Sequence, residues 1–333
     1  MPLHDDLDGR RALGAALGSG ALVAFAFVAF GWLRLSMAGR APSDPVAVLG
    51  AVVVQWVVAT VTFAPFLLAV VGVVARPTPR VVAGGVALVY GVDLLATLGG
   101  ALATGFPGSV GPAVLAVPLS TVASLLAIAV AVWLTYHGGY DRLAAAAEGA
   151  DRHPLFAALP ETRLGPELPV KRGLVAAGLG ALVGASGLVA ADGIVELLRT
   201  ATRAGAGSSI SVTVSGAWVW NVGIPASQFP IEWLSEASFL LAVLFVTGRR
   251  TSVRDLGKGI AVILGVRFAT VLVPALVAPG RPLDPWAPSG PALASLGDVF
   301  LLVGVAVAVR LALGGDGVDR ASADGTVDGT AGE

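Results

Sequence analysis

Eight apolar stretches, each about as long as a bilayer is thick, constrain this chain more than anything else in it. They run over residues 12–33, 46–74, 81–104, 110–134, 173–198, 231–247, 256–278 and 291–313. A hydrocarbon core takes roughly 20 consecutive apolar residues per helix. Only helices and closed barrels satisfy their backbone polar groups in lipid, and runs of this length are helical ones. The expected fold is therefore all-α: a polytopic membrane protein, a single bundle of about eight transmembrane helices over residues 1–313, then an acidic, disordered tail over 314–333. That tail carries Asp316, Asp319, Asp324, Asp328 and Glu333 against Arg320.

Composition narrows the chemistry. Charged residues make up 13% of the chain, about half of what a soluble domain carries. There is no cysteine, which removes disulfides, thiolate metal sites and a thiol nucleophile. His4, His137 and His153 are the only histidines, and all lie outside the apolar runs. Paired-histidine haem or zinc within the membrane is not expected. Lys171 and Lys258 fall at predicted helix ends, so a retinal Schiff base has no lysine to form on. No cofactor or metal site is expected, and no phosphate-binding loop is present.

Lys and Arg residues set the expected orientation. With the N-terminus inside, the inner segments hold 14 of the 21 cationic residues and the outer segments five. Both termini are then cytoplasmic, in the cell membrane. Arg10 and Arg11 precede the first run, but the residues after them fit an export signal poorly, and an uncleaved helix is expected. Trp32, Trp233 and Trp286 fall at outer helix ends, and Trp133, Tyr136 and Tyr140 at an inner end, as interface anchors do. The 137–172 segment, expected on the cytoplasmic side, contains a short helix candidate at Tyr140 to Glu148. It is the natural docking point for a membrane partner subunit. Nothing indicates nucleic acid. On the other side, Ser209 to Val222 reads as a hairpin.

Small residues mark close helix packing. Gly173, Gly180, Gly184 and Gly187 in the fifth run, and Gly14 and Gly18 in the first, have the spacing for it. The fifth helix is expected near the centre. Gly91-Val92-Asp93 and Leu296-Gly297-Asp298 look alike but sit in non-equivalent helices, so no internal repeat is inferred.

Ionisable groups inside a span are costly and mark function. Asp93 and Arg267 share a depth of roughly 16–18 Å from the inner side at 1.5 Å per residue, and are expected to pair or share a small polar network. Asp192 and Asp298 lie nearer the outside. Glu196, Glu232 and Glu236 read as groups reaching for headgroups and water. The candidate transport path or gate is thus Asp93, Arg267, Asp192 and Asp298, with no catalytic residue.

Three functions compete. The leading one is a permease-like protein moving an ion or small solute. The second is a non-catalytic scaffold or subunit of a larger membrane complex. The third is an intramembrane enzyme using two aspartates. Intramembrane aspartyl proteases carry Gly-x-Gly-Asp in one helix and Tyr-Asp in another. Here Ser295-Leu296-Gly297-Asp298 lacks the first glycine, and Tyr90 is not adjacent to Asp93. The fragment Gly184-Ala185-Ser186-Gly187 has no membrane histidine to act as base.

Overall fold

A computed structural model describes residues 9–37, 39, 44–104, 110–146, 169–204, 224–248, 252–277 and 291–313. Nine helices account for nearly all of them. In chain order they are α1 (Gly9–Met37), α2 (Pro45–Ala75), α3 (Pro79–Thr104), α4 (Val110–Tyr136), α5 (Gly139–Ala146), α6 (Val170–Ala204), α7 (Ile224–Thr247), α8 (Val253–Val277) and α9 (Pro291–Leu313). The acidic tail and the hairpin candidate lie outside the described residues. Among the described residues, seven helices are long and apolar enough to cross a membrane. The eighth long helix, α8, does not meet that standard. It carries Arg254, Asp255 and Lys258 in its first two turns and Arg267 further on.

Local chemistry sets the helix ends. Asp44 caps α2, its carboxylate accepting from the Val46 amide at 3.0 Å, and Pro45 occupies the first helical position, where no N–H is needed. Arg76, Pro77 and Thr78 then divide α2 from α3, because Pro77 and Pro79 cannot continue a helix. Ser252 and Asp255 form a reciprocal cap at the start of α8. The Ser252 hydroxyl accepts from the Asp255 amide at 3.2 Å, and Asp255 accepts from the Ser252 amide at 3.2 Å. Those bonds, with the Ser252 hydroxyl foremost and Lys258 beside them, hold the Asp255 carboxyl below its usual range.

The bundle is a closed ring of helical hairpins around four inner helices. α2, α4, α7 and α9 pack against one another in a cycle. Each outer helix then covers one seam of that cycle: α1 lies over α9 and α2, α3 over α2 and α4, α6 over α4 and α7, and α8 over α7 and α9. The inner helices carry most of the largest buried side chains, including Leu67, Leu125, Ile128, Leu240, Leu244 and Leu302. Hydrogen bonds across neighbours gather one set of helix ends, here called the basal end. Arg11 Nε donates to the Leu311 carbonyl at 2.8 Å, and the Tyr136 hydroxyl to the Leu244 carbonyl at 2.6 Å. The start of α1 and the end of α9 therefore meet on one side.

Glycine placement corrects two expectations. The stripe on α6 does pack closely. A Cβ on Gly180 would meet the Ala127 carbonyl oxygen at 2.8 Å, one on Gly184 the Ala127 side chain at 3.1 Å, and one on Gly187 would clash with Ala123. Yet α6 is an outer helix, seated on α4 and α7, and not the central one. A small-residue stripe reports how close one neighbour comes, not how many neighbours surround a helix. Gly14 and Gly18 face open space; in α1 it is Gly20 that meets a partner, Ala64, at 3.0 Å.

Candidate functional site

The charges expected near the midplane fall into two groups on different seams. Asp93 sits on α3, only 2% exposed, and hydrogen-bonds the Thr121 side chain on α4. Arg267 sits on α8, its Nη2 3.0 Å from Asp298 Oδ2 on α9. The expected Asp93–Arg267 pair is thus replaced by Arg267–Asp298. The cause is topological: α3 covers the α2–α4 seam and α8 the α7–α9 seam, so equal depth does not bring the two side chains together. Asp192 lies on α6, and its side chain is outside the described residues.

Glu236 of α7 completes the second group. Asp298, Arg267 and Glu232 are its charged neighbours. Its Oε2 is fully buried, and among the described residues it has no hydrogen-bond partner. That oxygen lies against Gly184 of α6, where a Cβ would approach it to 3.2 Å. The absence of a side chain at Gly184 is what gives the carboxylate its space. Trp233, one turn before, fixes α7 to α6 through an indole N–H donated to the Gly178 carbonyl at 2.9 Å.

Three helices therefore converge on one cation and two close carboxylates, with a third acid, Glu232, nearby. Measured from the basal ends of their helices, Glu236, Arg267 and Asp298 lie eleven, fourteen and fifteen residues in, roughly 16–22 Å along the helix axes. Arg267 and Asp298 remain 25% and 31% exposed, so their pair opens out of the packed core. Arg267 Nε, like Glu236 Oε2, is buried without a hydrogen-bond partner among the described residues. A donor and an acceptor left unmatched in one cluster are what water, an ion or a small polar solute satisfies.

Sequence reasoning takes Glu236 for a headgroup ligand because the sixth run is expected to start at Ile231. The helix begins at Ile224, seven residues earlier, so Glu236 lies about three turns inside it and not near its first turn. The four-residue spacing from Glu232 to Glu236 is the available signal, since it puts both on one face.

Together, the seven long apolar helices and the buried charges define a multi-pass membrane protein. No family model, curated protein or solved structure matches the chain, so its function is argued from its own residues.

Proposed function

We propose that this protein is a permease-like carrier of a small cation or cationic solute, with Glu236, Arg267 and Asp298 as its central binding and gating cluster. In this reading α8 is the eighth span, both termini are cytoplasmic in the cell membrane, and Asp192 belongs to the outer approach. The observation that carries the reading is the charge balance of the cluster. Arg267 neutralises Asp298, while Glu236 keeps a buried carboxylate oxygen with no hydrogen-bond partner among the described residues. The net charge with all groups ionised is negative, which favours a cation. The pair is also partly exposed, and charged groups at that depth face water-filled cavities or the bundle interior. A pair sealed in a dry core would have favoured the scaffold reading.

The test is flux in proteoliposomes, using a pH-sensitive dye and radiolabelled sodium and rubidium. Wild-type protein is expected to move one of these cations, and Glu236→Gln with Asp298→Asn to abolish that movement while the protein stays folded and monodisperse. Wild-type flux from the double variant, or no flux of any probe through the wild type, overturns the proposal.

A further inference from the structure

A second site lies at the opposite side of the ring, away from the charged cluster. Between α3 and α4 runs a groove of about 920 Å³. Its walls are apolar: Val82, Ala83, Val86, Leu126, Ala129 and Val130 among them. Pro77 and Pro79 stand at its basal mouth, beside Trp133 and Arg142, and Tyr90 stands at its far end. Pro79 and Tyr90 are eleven residues apart on one helix, roughly 16 Å at 1.5 Å per residue. One leaflet of a bilayer core is about 15 Å deep, half of the whole. The groove thus has the length of one acyl chain. Ala83 and Ala87 on its rim are exposed, so it opens sideways toward lipid.

The basal mouth is built to hold a cation over the groove. Gly138, at φ +75°, turns the chain out of α4 in a conformation that favours glycine. Gly139 then lies so close on the Trp133 indole that a Cβ would meet it at 2.6 Å. The short helix α5 is tied to the start of α6. Arg172 Nη2 lies 2.6 Å from Asp141 Oδ1, and the Arg172 guanidinium sits 5.3 Å from the centre of the Tyr140 ring. Asp141 is thereby neutralised by Arg172, and the next residue, Arg142, has no ion-pair partner among the described residues. Arg76 and Arg80, both exposed, flank the prolines beside it.

We infer that this groove is a binding site for an anionic phospholipid, one acyl chain lying along Ala83, Val86, Ala129 and Val130 and the phosphate headgroup held by Arg142. Basic residues at the membrane surface, and basic pockets between spanning helices, select anionic headgroups. The apolar walls alone would take any lipid; Arg142, which lines the groove where Arg76 and Arg80 only flank its prolines, is what selects the charge. The site is independent of the transport reading, because it shares no residue with the Glu236–Arg267–Asp298 cluster.

The test is lipid retention by purified protein in detergent, read by native mass spectrometry with phosphatidylglycerol and phosphatidylcholine offered together. Wild-type protein is expected to retain phosphatidylglycerol over phosphatidylcholine by about fivefold, the discrimination one basic residue provides at such a surface. Arg142→Gln brings that ratio to near parity while some lipid stays bound. Ala83→Phe, which fills an exposed position on the rim, lowers retention of both lipids. Equal retention of the two lipids by the wild type overturns the inference, as does an Arg142→Gln protein with the wild-type ratio. So does a wild-type dimer that Ala83→Phe disperses, since the groove would then hold a second copy. Arg142 is exposed, so its variant is expected to fold, and the ratio it gives decides the matter if Ala83→Phe does not. Sidedness in the membrane plays no part in this measurement.

Discussion

Removing Arg267 tests the architecture of the charged cluster directly. At 3.0 Å from Asp298, and with an effective dielectric of about 20, the gross attraction of the pair is ~5 kcal/mol. Desolvation of both groups offsets much of that. The observable quantity is the cost of leaving the acids alone. Deleting one partner of a buried pair costs about 3–5 kcal/mol. Arg267 and Asp298 are 25% and 31% exposed, so part of their hydration survives, and Arg267→Gln is expected to cost about 2–3 kcal/mol, the lower part of that range. Asp298→Asn, which leaves the arginine with Glu236 as a second acidic neighbour, is expected to cost less. The double variant should then be less unstable than the sum of the singles, with a coupling of about 1–2 kcal/mol. Reversible unfolding in mixed micelles, titrated with dodecyl sulfate and followed by tryptophan fluorescence, measures all four proteins. Additivity within about 0.5 kcal/mol refutes the argument, because the two groups would then not stabilise one another.

Three further outcomes are expected. Gly180→Ala places a Cβ 2.8 Å from the Ala127 carbonyl oxygen and should destabilise the α4–α6 seam by about 1–3 kcal/mol in the same unfolding assay. Ser252→Ala removes the hydroxyl that accepts from Asp255 at the start of α8. It should cost about 1 kcal/mol and raise the Asp255 pKa, measured by carboxylate infrared or NMR titration. Burial pushes the His137 imidazole below its ordinary value of 6.5, against a hydrogen bond to the Val74 carbonyl that favours the charged form. The unfolded chain therefore binds more protons than the folded one below about pH 6.5, so stability is whole above that pH and falls as pH drops through it. Thermal midpoints at pH 5 and pH 8 should differ more for the wild type than for His137→Gln.

The amount of this structure that is readable from the residues differs by level. The apolar runs reveal the helices because bilayer thickness fixes run length, and length survives without any knowledge of neighbours. The same runs place Arg267 and Asp298 well inside their helices, which is why both stand out as candidates; Asp298, read as nearer the outer side, lies fifteen residues from the basal end of α9, level with Arg267 at fourteen in α8. Their pairing is not readable. Depth is one coordinate, and partner choice also needs the order of helices around the ring. Asp93 has a suitable depth and the wrong seam. Glu236 is hidden by a misplaced boundary: Pro225, Ser227, Gln228 and Pro230 read as a loop, yet α7 runs through them from Ile224. The site over α5 is invisible for a different reason. It depends on which arginine is already occupied: the Arg172–Asp141 contact leaves Arg142 as the arginine that lines the groove with no ion-pair partner among the described residues.

The ring has a consequence for how the chain is made. Its last closure joins α1 to α9, and the Arg11–Leu311 bond links residues 300 apart. Every other outer helix can settle on its seam soon after its hairpin partner leaves the ribosome. The helix α1 is the exception, because part of its partner surface belongs to α9, which is made much later. Until α9 arrives, α1 must wait in lipid with that flank uncovered, and the inner cycle of four stays open on the same side. Synthesis proceeds at about 5–20 residues per second, so this interval lasts on the order of tens of seconds at that rate. Any stall before α9 leaves α1 and α2 holding an unfilled seam, because α9 packs against both.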